Sequence, residues 1–278
     1  MRRSRVPSTY DDQDAVQHGL HPAVEDVLRS GKVQTAEGLV LDAHSYMYIP
    51  RDECELLYRQ VSATRARHAV EVGMAFGIST LCLCDALCRN TPFQTERPHL
   101  VVMDPFQHGS IWHGVGLKQV RAAGFGDIVE FHERPSCAVL PDLAAKEYRI
   151  QFAFIDGSHA FDDALIDFFY VDQMLERGGI IVFDDVALQP VNAVLRFVLA
   201  NRQYELIEVL ELPRTGLGNR AKRLVKRFLR RLGRTHQDPT PAHQQLFRRL
   251  DWAYSVAVRK VAPDLRDWVR PWDHYSAF

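Results

Sequence analysis

Short apolar segments alternate with amphipathic segments from His68 onward. The apolar segments are rich in β-branched residues, which is typical of buried strands, and the segments between them repeat apolar residues at helical spacing. This alternation predicts an α/β fold: a doubly wound, mostly parallel sheet with helices on both faces. The predicted strands are 68–73, 99–104, 127–132, 150–156 and 179–184, and the predicted helices between them are 78–89, 113–123, 137–146 and 160–176.

Further elements flank this alternation. A helix is predicted after Pro50, because four apolar residues of the segment RDECELLYRQVSAT fall on one helical face. A helix is also expected over 191–200, followed by YELIEVLEL as a sixth strand and WAYSVAVRKV as a seventh. Seven strands in one Rossmann-like sheet are therefore expected. The four residues of the first helix are Cys54, Leu57, Tyr58 and Val61.

The pattern divides the chain into four parts. Residues 1–50 are predicted to form an N-terminal arm and cover segment, and residues 51–212 with 251–262 the α/β domain. Residues 213–250 are an insertion between the last two strands, and residues 263–278 a tail.

The insertion is strongly basic. Residues 214–234 contain nine Lys or Arg and no acid, and their apolar residues follow helical spacing, which predicts a basic amphipathic helix. This helix could pack on its own domain or on a partner subunit of a homo-oligomer, or it could bind an anionic membrane surface. Nucleic acid is the least favoured partner.

Composition narrows the class of protein. The 278 residues are 46% hydrophobic, enough for a sizeable core, and the net charge of −1 gives no global attraction to nucleic acid or membranes. No apolar stretch approaches the roughly 18 residues of a membrane helix, and the N-terminus has no apolar core of a signal peptide. A cytoplasmic location is expected, and the five cysteines are expected to be buried thiols, because they form no CxxC pair.

The stretch HAVEVGMAFGIST reads as strand, glycine turn and helix. The free backbone N–H groups at such a helix start suit an anionic or polar ligand. A dinucleotide fingerprint would need glycine at positions 75 and 78, where the chain has Ala75 and Ile78, so an oxidoreductase is disfavoured. S-adenosylmethionine lacks the pyrophosphate that demands those glycines, and Asp104 stands where a carboxylate could bind its ribose hydroxyls.

Three acids end two neighbouring predicted strands. Asp156 follows the fourth strand, and Asp184 and Asp185 follow the fifth. Carboxylates this close can share a cation, and all-oxygen ligation suits Mg²⁺ or a similar divalent ion. The alternative is that Asp184 and Asp185 cap the following loop and stay hydrated.

These motifs resemble one protein family. The runs EVGMAFGIST, MDPF and FIDGSHAFDDALIDFFYVDQMLERGGIIVFDD are similar to the class I S-adenosylmethionine-dependent O-methyltransferases. Within that class they resemble the branch with macrolide-sugar and aminocoumarin O-methyltransferases and cephalosporin-hydroxylase-type proteins. The resemblance covers about residues 50–210 and is strongest from IDGSH to FDD.

The resemblance implies roles for individual residues. Members of the branch commonly place a divalent metal at the positions of Asp156, Asp184 and Asp185. Arg134 stands where relatives usually carry glycine shortly before the adenine-side serine, and Ser136 could instead be a simple helix N-cap. The implied cofactor-binding residues are Glu71, Gly73, Gly77, Asp104, Ser136 and Asp156.

His159 is the expected catalytic base. It follows Asp156-Gly157-Ser158 at the start of a predicted helix, and serine, the alternative at position 158, is a poor base. A histidine here could also merely hydrogen-bond the turn. The expected function is metal-assisted O-methylation of a small-molecule hydroxyl, such as one on a sugar or glycosylated metabolite. The competing interpretation is a non-catalytic S-adenosylmethionine-binding protein that docks to a membrane or partner through its basic helix.

Overall fold

The computed structural model describes residues 19–46, 49–90, 97–211, 247 and 249–264. Within them, helices and strands alternate as the sequence predicts. The helices are α1 Pro22–Ser30, α2 Ala43–Tyr46, α3 Arg51–Thr64, α4 Ile78–Asn90, α5 Val115–Ala122, α6 Ser136–Ala145, α7 Phe161–Met174 and α8 Gln189–Asn201. The strands are β1 Lys32–Gln34, β2 Val40–Asp42, β3 His68–Val72, β4 His99–Met103, β5 Val129–His132, β6 Ile150–Ile155, β7 Leu175–Phe183, β8 Tyr204–Glu211 and β9 Ala253–Lys260.

Seven of the strands form one sheet in the order β5-β4-β3-β6-β7-β9-β8. The five strands from β5 to β7 run parallel, and β9 is antiparallel to both of its neighbours. The winding reverses between β3 and β6, so a crevice opens at the carboxyl ends of these two strands, where α/β folds bind ligands. The predicted doubly wound, seven-stranded sheet is confirmed.

Helices cover both faces of the sheet. One core contains buried residues of α1, α3, α4 and α5, and the other contains those of α6, α7 and α8. The central strands contribute alternate residues to the two cores: Val102 to the first, and Val101 and Met103 to the second. Burial on both faces explains why these strands read as nearly continuous apolar runs.

The lead-in helix predicted after Pro50 is confirmed as α3. All four residues predicted to share its apolar face are buried. The mixed pattern of residues 21–48 concealed α1, α2 and the small β1–β2 hairpin, which pairs Val33 with Leu41. No regular structure was predicted there, because three-residue strands are too short to show a period.

Strand β7 begins earlier than predicted. It starts at Leu175 rather than 179, and its pairing with β6 shifts in register between Ile150 and Phe152. Gly178, near the start of this strand, has φ +88°. The residues just before it are polar, so the sequence pattern assigned them to the end of the preceding helix. The predicted helix 160–176 accordingly ends at Met174.

The cysteines follow the expected pattern with one correction. All five thiols are free, and Cys54, Cys82 and Cys84 are buried. Cys88 is half-buried, but Cys137 is exposed at the start of α6, so burial was wrongly expected there. Burial raises the pKa of the Cys84 thiol well above its usual value, which keeps that thiol protonated and unreactive.

Among the described residues, no helix is long and apolar enough to cross a membrane. The basic amphipathic helix predicted over 214–234 lies outside the described residues.

Candidate active site

The glycine turn after β3 can be built only with glycine at its two ends. Gly73 has φ +91°, and a Cβ atom there would lie 2.1 Å from the carbonyl oxygen of Asp156. Gly77 has φ +78°, and its Cβ would lie 2.9 Å from the Cα of Gly116. The left-handed backbone and the close approach of a second chain segment both exclude a side chain. The turn therefore lies directly against the start of the loop that carries Asp156.

Asp104 holds the glycine turn in place. Its Oδ2 accepts hydrogen bonds from the backbone N–H of Met74 at 3.2 Å and of Ala75 at 2.9 Å, and its Oδ1 accepts one from Phe106 N–H at 2.8 Å. The side chain is 4% exposed, which is inconsistent with a hydrated strand end. Asp104 thus orders the turn whether or not it also binds a ribose, a contact that stays a prediction.

Glu71 lies on β3, immediately before the glycine turn, and is enclosed by protein. It is fully buried, and the Thr80 hydroxyl donates to its Oε2 at 2.7 Å. Its Oε1 has no hydrogen-bond partner in the described part of the chain. Burial raises the pKa of this carboxyl to about 8, so the group is largely neutral near pH 7. A cofactor contact of Glu71 stays a prediction.

Ser136 lies on α6. This helix covers the opposite face of the sheet from α4, the helix that follows the glycine turn. Ser136 is the first residue of α6, and the N-cap position belongs to Pro135, so the interpretation of Ser136 as the N-cap was wrong. Its hydroxyl instead lowers the pKa of the buried Asp167 of α7, although burial dominates and raises that pKa to about 6. Arg134 points along the surface of α6, where it donates to the carbonyl of Ala138 at 2.8 Å.

The three acids predicted at neighbouring strand ends are brought together. Ile155 of β6 pairs with Phe183 of β7, so Asp156 and Asp184 follow at the same edge. Burial, together with the charges of Asp184 and Asp185, raises the pKa of Asp156 well above its usual range. Such mutual influence requires that the three carboxylates lie close together.

His159 joins this cluster through Asp185. Its Nε2 lies 3.2 Å from Asp185 Oδ2, and both side chains are half-buried at the mouth of the crevice. Asp185 has φ +51°, a left-handed conformation that is uncommon outside glycine, asparagine and aspartate. The backbone is therefore held in an unusual turn that directs the carboxylate toward the imidazole.

A fourth carboxylate, Glu53 of α3, was missed in the sequence. Its side chain is 2% exposed and accepts a hydrogen bond from the Ser255 hydroxyl, which also lies 3.0 Å from Asp184 Oδ1. A signal was present: Glu53 precedes Leu57 by four residues and Val61 by eight, so it stands on the apolar face of the predicted helix. An acid at a core-facing position needs a partner, and the cluster provides the reason for its placement.

The donor chemistry of this cluster suits a hard divalent cation. The carboxylates come from α3 and from the ends of β6 and β7, and they offer oxygen ligands. In the described part of the chain, however, no group of three or more His, Cys, Asp or Glu is arranged as a metal site, and the carboxylates hydrogen-bond one another instead. The oxygen ligands available to a cation here come from Asp156, Asp184 and Asp185, and as placed they do not form a metal site.

The loop after β4 holds further polar residues that the sequence left without a role. His108 pairs with Glu133 at 2.7 Å on the surface, and Trp112 is buried edge-on against Phe76 beneath the turn. These contacts give both side chains a structural role. Phe106 of the same loop is 62% exposed beside the crevice.

Comparison with known proteins agrees with this geometry. Residues 70–186 match the family described as a methyltransferase domain. This match covers less than half of the chain. The matched segment begins in β3 and ends just after Asp185, so it includes the glycine turn, Asp104, Ser136, His159 and the acids of β6 and β7.

A curated relative and solved structures extend the comparison. The chain is 22% identical over 173 residues to tricin synthase 2 of Oryza sativa subsp. japonica, an alignment that covers 60% of this chain and 52% of that protein. The chain therefore spans about half the length of this curated relative.

The solved structures show the same fold. The O-methyltransferase TomG from Streptomyces achromogenes, involved in tomaymycin synthesis and solved with S-adenosylmethionine, superposes with a TM-score of 0.58 at 14% identity, over 90% of this chain and 94% of TomG. An O-methyltransferase from Bacillus cereus, solved with S-adenosylhomocysteine, gives 0.54 at 17% identity, over 72% of this chain and 90% of the other. The class I methyltransferase fold expected from the resemblance is confirmed.

Proposed function

We propose that this methyltransferase domain transfers a methyl group from S-adenosylmethionine to a hydroxyl of a small molecule, such as a sugar or glycosylated metabolite, with the assistance of a divalent cation. The observation that carries the proposal is the contact between Gly73 and Asp156. The carbonyl of Asp156 occupies the space where a Gly73 side chain would stand, so the glycine turn and the acid cluster share one crevice. Donor and acceptor can therefore bind side by side.

The turn is suited to the methyl donor. Asp104 fixes the turn through the N–H groups of Met74 and Ala75, which leaves the helix start of α4 facing the crevice. A carboxylate oxygen has lone pairs for more than one donor, so Asp104 can hold the turn and still accept a ribose hydroxyl. S-adenosylmethionine supplies an electrophilic methyl group when bound.

Proton removal is the task we assign to His159. An alcohol attacks poorly unless its proton leaves as the carbon–oxygen bond forms. An imidazole whose Nε2–H donates to Asp185 keeps Nδ1 unprotonated, and Nδ1 then accepts the proton of the acceptor hydroxyl. The Asp185 carboxylate stabilises the imidazolium that results.

The acids Asp156, Asp184 and Asp185 would hold the cation. A bound divalent ion lowers the pKa of a hydroxyl that coordinates it. The cluster itself orients the acceptor beside the methyl donor, because all three carboxylates lie at the ends of β6 and β7, next to the turn. The names of the solved relatives that superpose on this chain, both O-methyltransferases, support oxygen as the acceptor atom.

The test is a transfer assay with radiolabelled S-adenosylmethionine and a panel of hydroxylated sugars and glycosides. The chain is first treated with EDTA, and Mg²⁺ or Mn²⁺ is then restored. We expect labelled methyl ethers that form only with the cation present. Transfer unaffected by EDTA would remove the cation from the mechanism, and transfer to amines or thiols alone would overturn O-methylation. Cofactor binding without transfer to any acceptor would favour the non-catalytic interpretation.

A further inference from the structure

Asp167 of α7 is an acid enclosed by protein. Its side chain is 1% exposed, and burial raises its pKa to about 6. The Ser136 hydroxyl, at the start of α6, is the donor that opposes this effect of burial. Among the described residues, neither carboxylate oxygen of Asp167 receives any further hydrogen bond. A carboxylate has lone pairs for about four donors, so Asp167 accepts far fewer hydrogen bonds than it could.

Other buried acids of the chain are neutralised by basic side chains. Asp172 lies 3.0 Å from Lys260, and Asp251 lies 2.7 Å from Arg196. Asp167 is buried more deeply than either acid, and no basic side chain in the described part of the chain forms an ion pair with it. Burial of a carboxylate without such a partner is costly, which points to a task at the place where Asp167 lies.

A series of close contacts places Asp167 beside the crevice. A Cβ atom on Gly73 of the glycine turn would lie 3.4 Å from the Cα of Gly157. A Cβ atom on Gly157 would in turn lie 3.8 Å from Asp167 Oδ2. Asp167 then contacts the hydroxyl of Ser136. The carboxylate therefore lies between the loop after β6, which packs on the glycine turn, and the start of α6.

The start of α6 lies where the base of the proposed methyl donor would extend. β5 is the neighbour of β4, and the backbone N–H of Asp104 donates to the carbonyl of His132, the last residue of β5, at 3.1 Å. Ser136 follows four residues later and is half-buried. A donor whose amino acid part lies on the turn and whose ribose contacts Asp104 therefore has its base directed toward Ser136.

Asp167 fixes the direction in which the Ser136 hydroxyl points. An ionised carboxylate only accepts hydrogen bonds, and a hydroxyl has one proton, so Ser136 donates to Asp167 and presents its lone pairs to the crevice. Adenine carries an amino group, which can donate to those lone pairs. A base with a carbonyl at the same position instead presents a second acceptor, and the hydrogen bond is lost.

We propose that Asp167 is a positioning residue for cofactor selection: it holds the Ser136 hydroxyl so that the site accepts the amino group of adenine and rejects a base with a carbonyl there. This proposal rests on the proposed function, which supplies the adenosyl donor. Asp167 acts through Ser136 and does not itself touch the donor. The proposal gives a task to an acid of α7 that none of the predicted site residues included.

The test compares two ligands by calorimetry at pH 8, where Asp167 is ionised. They are S-adenosylhomocysteine and S-inosylhomocysteine, which has a carbonyl in place of the adenine amino group. We expect wild type to bind the adenosyl ligand at least about tenfold more tightly. Asp167→Asn should reduce this preference at least about fivefold, because the amide can donate to Ser136 and release its proton.

Asp162→Asn is the matched control. Asp162 is an exposed acid of the same helix, so its replacement changes the charge of α7 equally and should leave the preference unchanged. A purely structural role of Asp167 predicts that Asp167→Asn weakens the binding of both ligands equally. An unchanged ratio of the two affinities therefore overturns the proposal.

A double-mutant cycle tests whether Asp167 acts through Ser136. Ser136→Ala should also reduce the preference for the adenosyl ligand, because it removes the acceptor. In the Ser136→Ala background, Asp167→Asn should change the preference no further. Reductions that simply add in the double variant would show that Asp167 acts by another route, and they overturn the proposal.

The failure of this proposal is distinguishable from the failure of the proposed function. A wild-type chain that binds both ligands equally overturns the positioning role and leaves the adenosyl donor in place. A wild-type chain that binds neither ligand overturns both proposals. If Asp167→Asn does not fold, Asp167→Ala replaces it, because alanine favours the helix and removes the acceptor outright. An unchanged preference in that variant also overturns the positioning role.

Discussion

His159 Nε2 lies 3.2 Å from Asp185 Oδ2, at the point where the ends of β6 and β7 meet. Asp185 reaches the imidazole from a backbone with φ +51°, so a locally unfavourable conformation is maintained at this pair. The pair fixes the orientation of the ring. If Nε2 donates its proton to Asp185, Nδ1 is the ring nitrogen that can accept a proton, as the proposed function requires.

Replacement of His159 by alanine is expected to lower the rate of methyl transfer by about 10²–10⁴-fold, the usual contribution of a positioned general base. The affinity for S-adenosylhomocysteine should be unchanged, because the glycine turn that we propose binds the methyl donor follows β3 and does not include His159. His99→Gln is the control: His99 hydrogen-bonds Tyr148 at 2.7 Å, at the opposite end of the sheet. A His159→Ala variant with full activity would show that the histidine merely braces the loop.

Gly73→Ala is expected to disrupt the cofactor turn. The new Cβ would overlap the Asp156 carbonyl at 2.1 Å in addition to bearing the cost of φ +91°. Gly124→Ala is a matched control, because Gly124 has φ +82° but nothing within 4 Å of its Cβ position. Left-handed backbone alone costs roughly 1–2 kcal/mol, and the overlap adds about 1–3 kcal/mol. Thermal unfolding of the two variants measures the difference, and equal losses would refute the close approach.

Asp104→Ala is expected to weaken both the fold and cofactor binding. It removes the acceptor of three backbone N–H groups, and each donor left buried costs about 1–3 kcal/mol. S-adenosylhomocysteine affinity should fall at least about tenfold. Asp127→Ala is the control, because Asp127 is 86% exposed and lies 3.6 Å from Arg97. Calorimetry with unchanged affinity for Asp104→Ala would contradict a role for Asp104 in shaping the donor site.

Glu71 predicts a pH dependence of stability. Its pKa is about 8 in the folded chain against 4.5 as the ordinary value, because the carboxyl is buried. Between these values the unfolded chain releases the proton and the folded chain keeps it, so the free energy of unfolding falls as pH rises from 4.5 to about 8. The shift corresponds to an upper bound of about 5 kcal/mol at 1.36 kcal/mol per pKa unit.

Glu71→Gln removes this titration while keeping a hydrogen-bonding group beside Thr80. Its stability relative to wild type is expected to increase as pH rises through this window, and to level off above pH 8. Urea unfolding at several pH values measures the difference. A constant difference across the window would mean that Glu71 is ionised in the folded chain.

Much of the fold could be predicted from the sequence, because the central strands are buried on both faces and end at polar residues. The strand ends at Gly73, Asp104, Asp156 and Asp184 were therefore located within a residue. Residues 21–48 could not be predicted in the same way. Their strands are three residues long, and they are held by contacts such as Lys118 Nζ to the carbonyls of Gln34 and Thr35, distant in sequence.

The part of the candidate site that could be predicted consists of residues at or just after the ends of successive parallel strands. His159 and the three acids were found because the parallel winding places successive strand ends at one edge. Glu53 and Ser255 were missed because they come from an earlier helix and from the last strand of the sheet. Their contact depends on how α3 packs against the sheet, and a local sequence pattern does not predict that packing.

The central claim is that the glycine turn binds an S-adenosyl methyl donor, and a binding measurement tests it most directly. Calorimetric titration of the full chain with S-adenosylhomocysteine, and separately with NAD, measures this without an acceptor. We predict one S-adenosylhomocysteine bound per chain, binding that is lost in Gly73→Ala and kept in Gly124→Ala, and no heat from NAD. Binding of NAD in preference to S-adenosylhomocysteine would contradict the account.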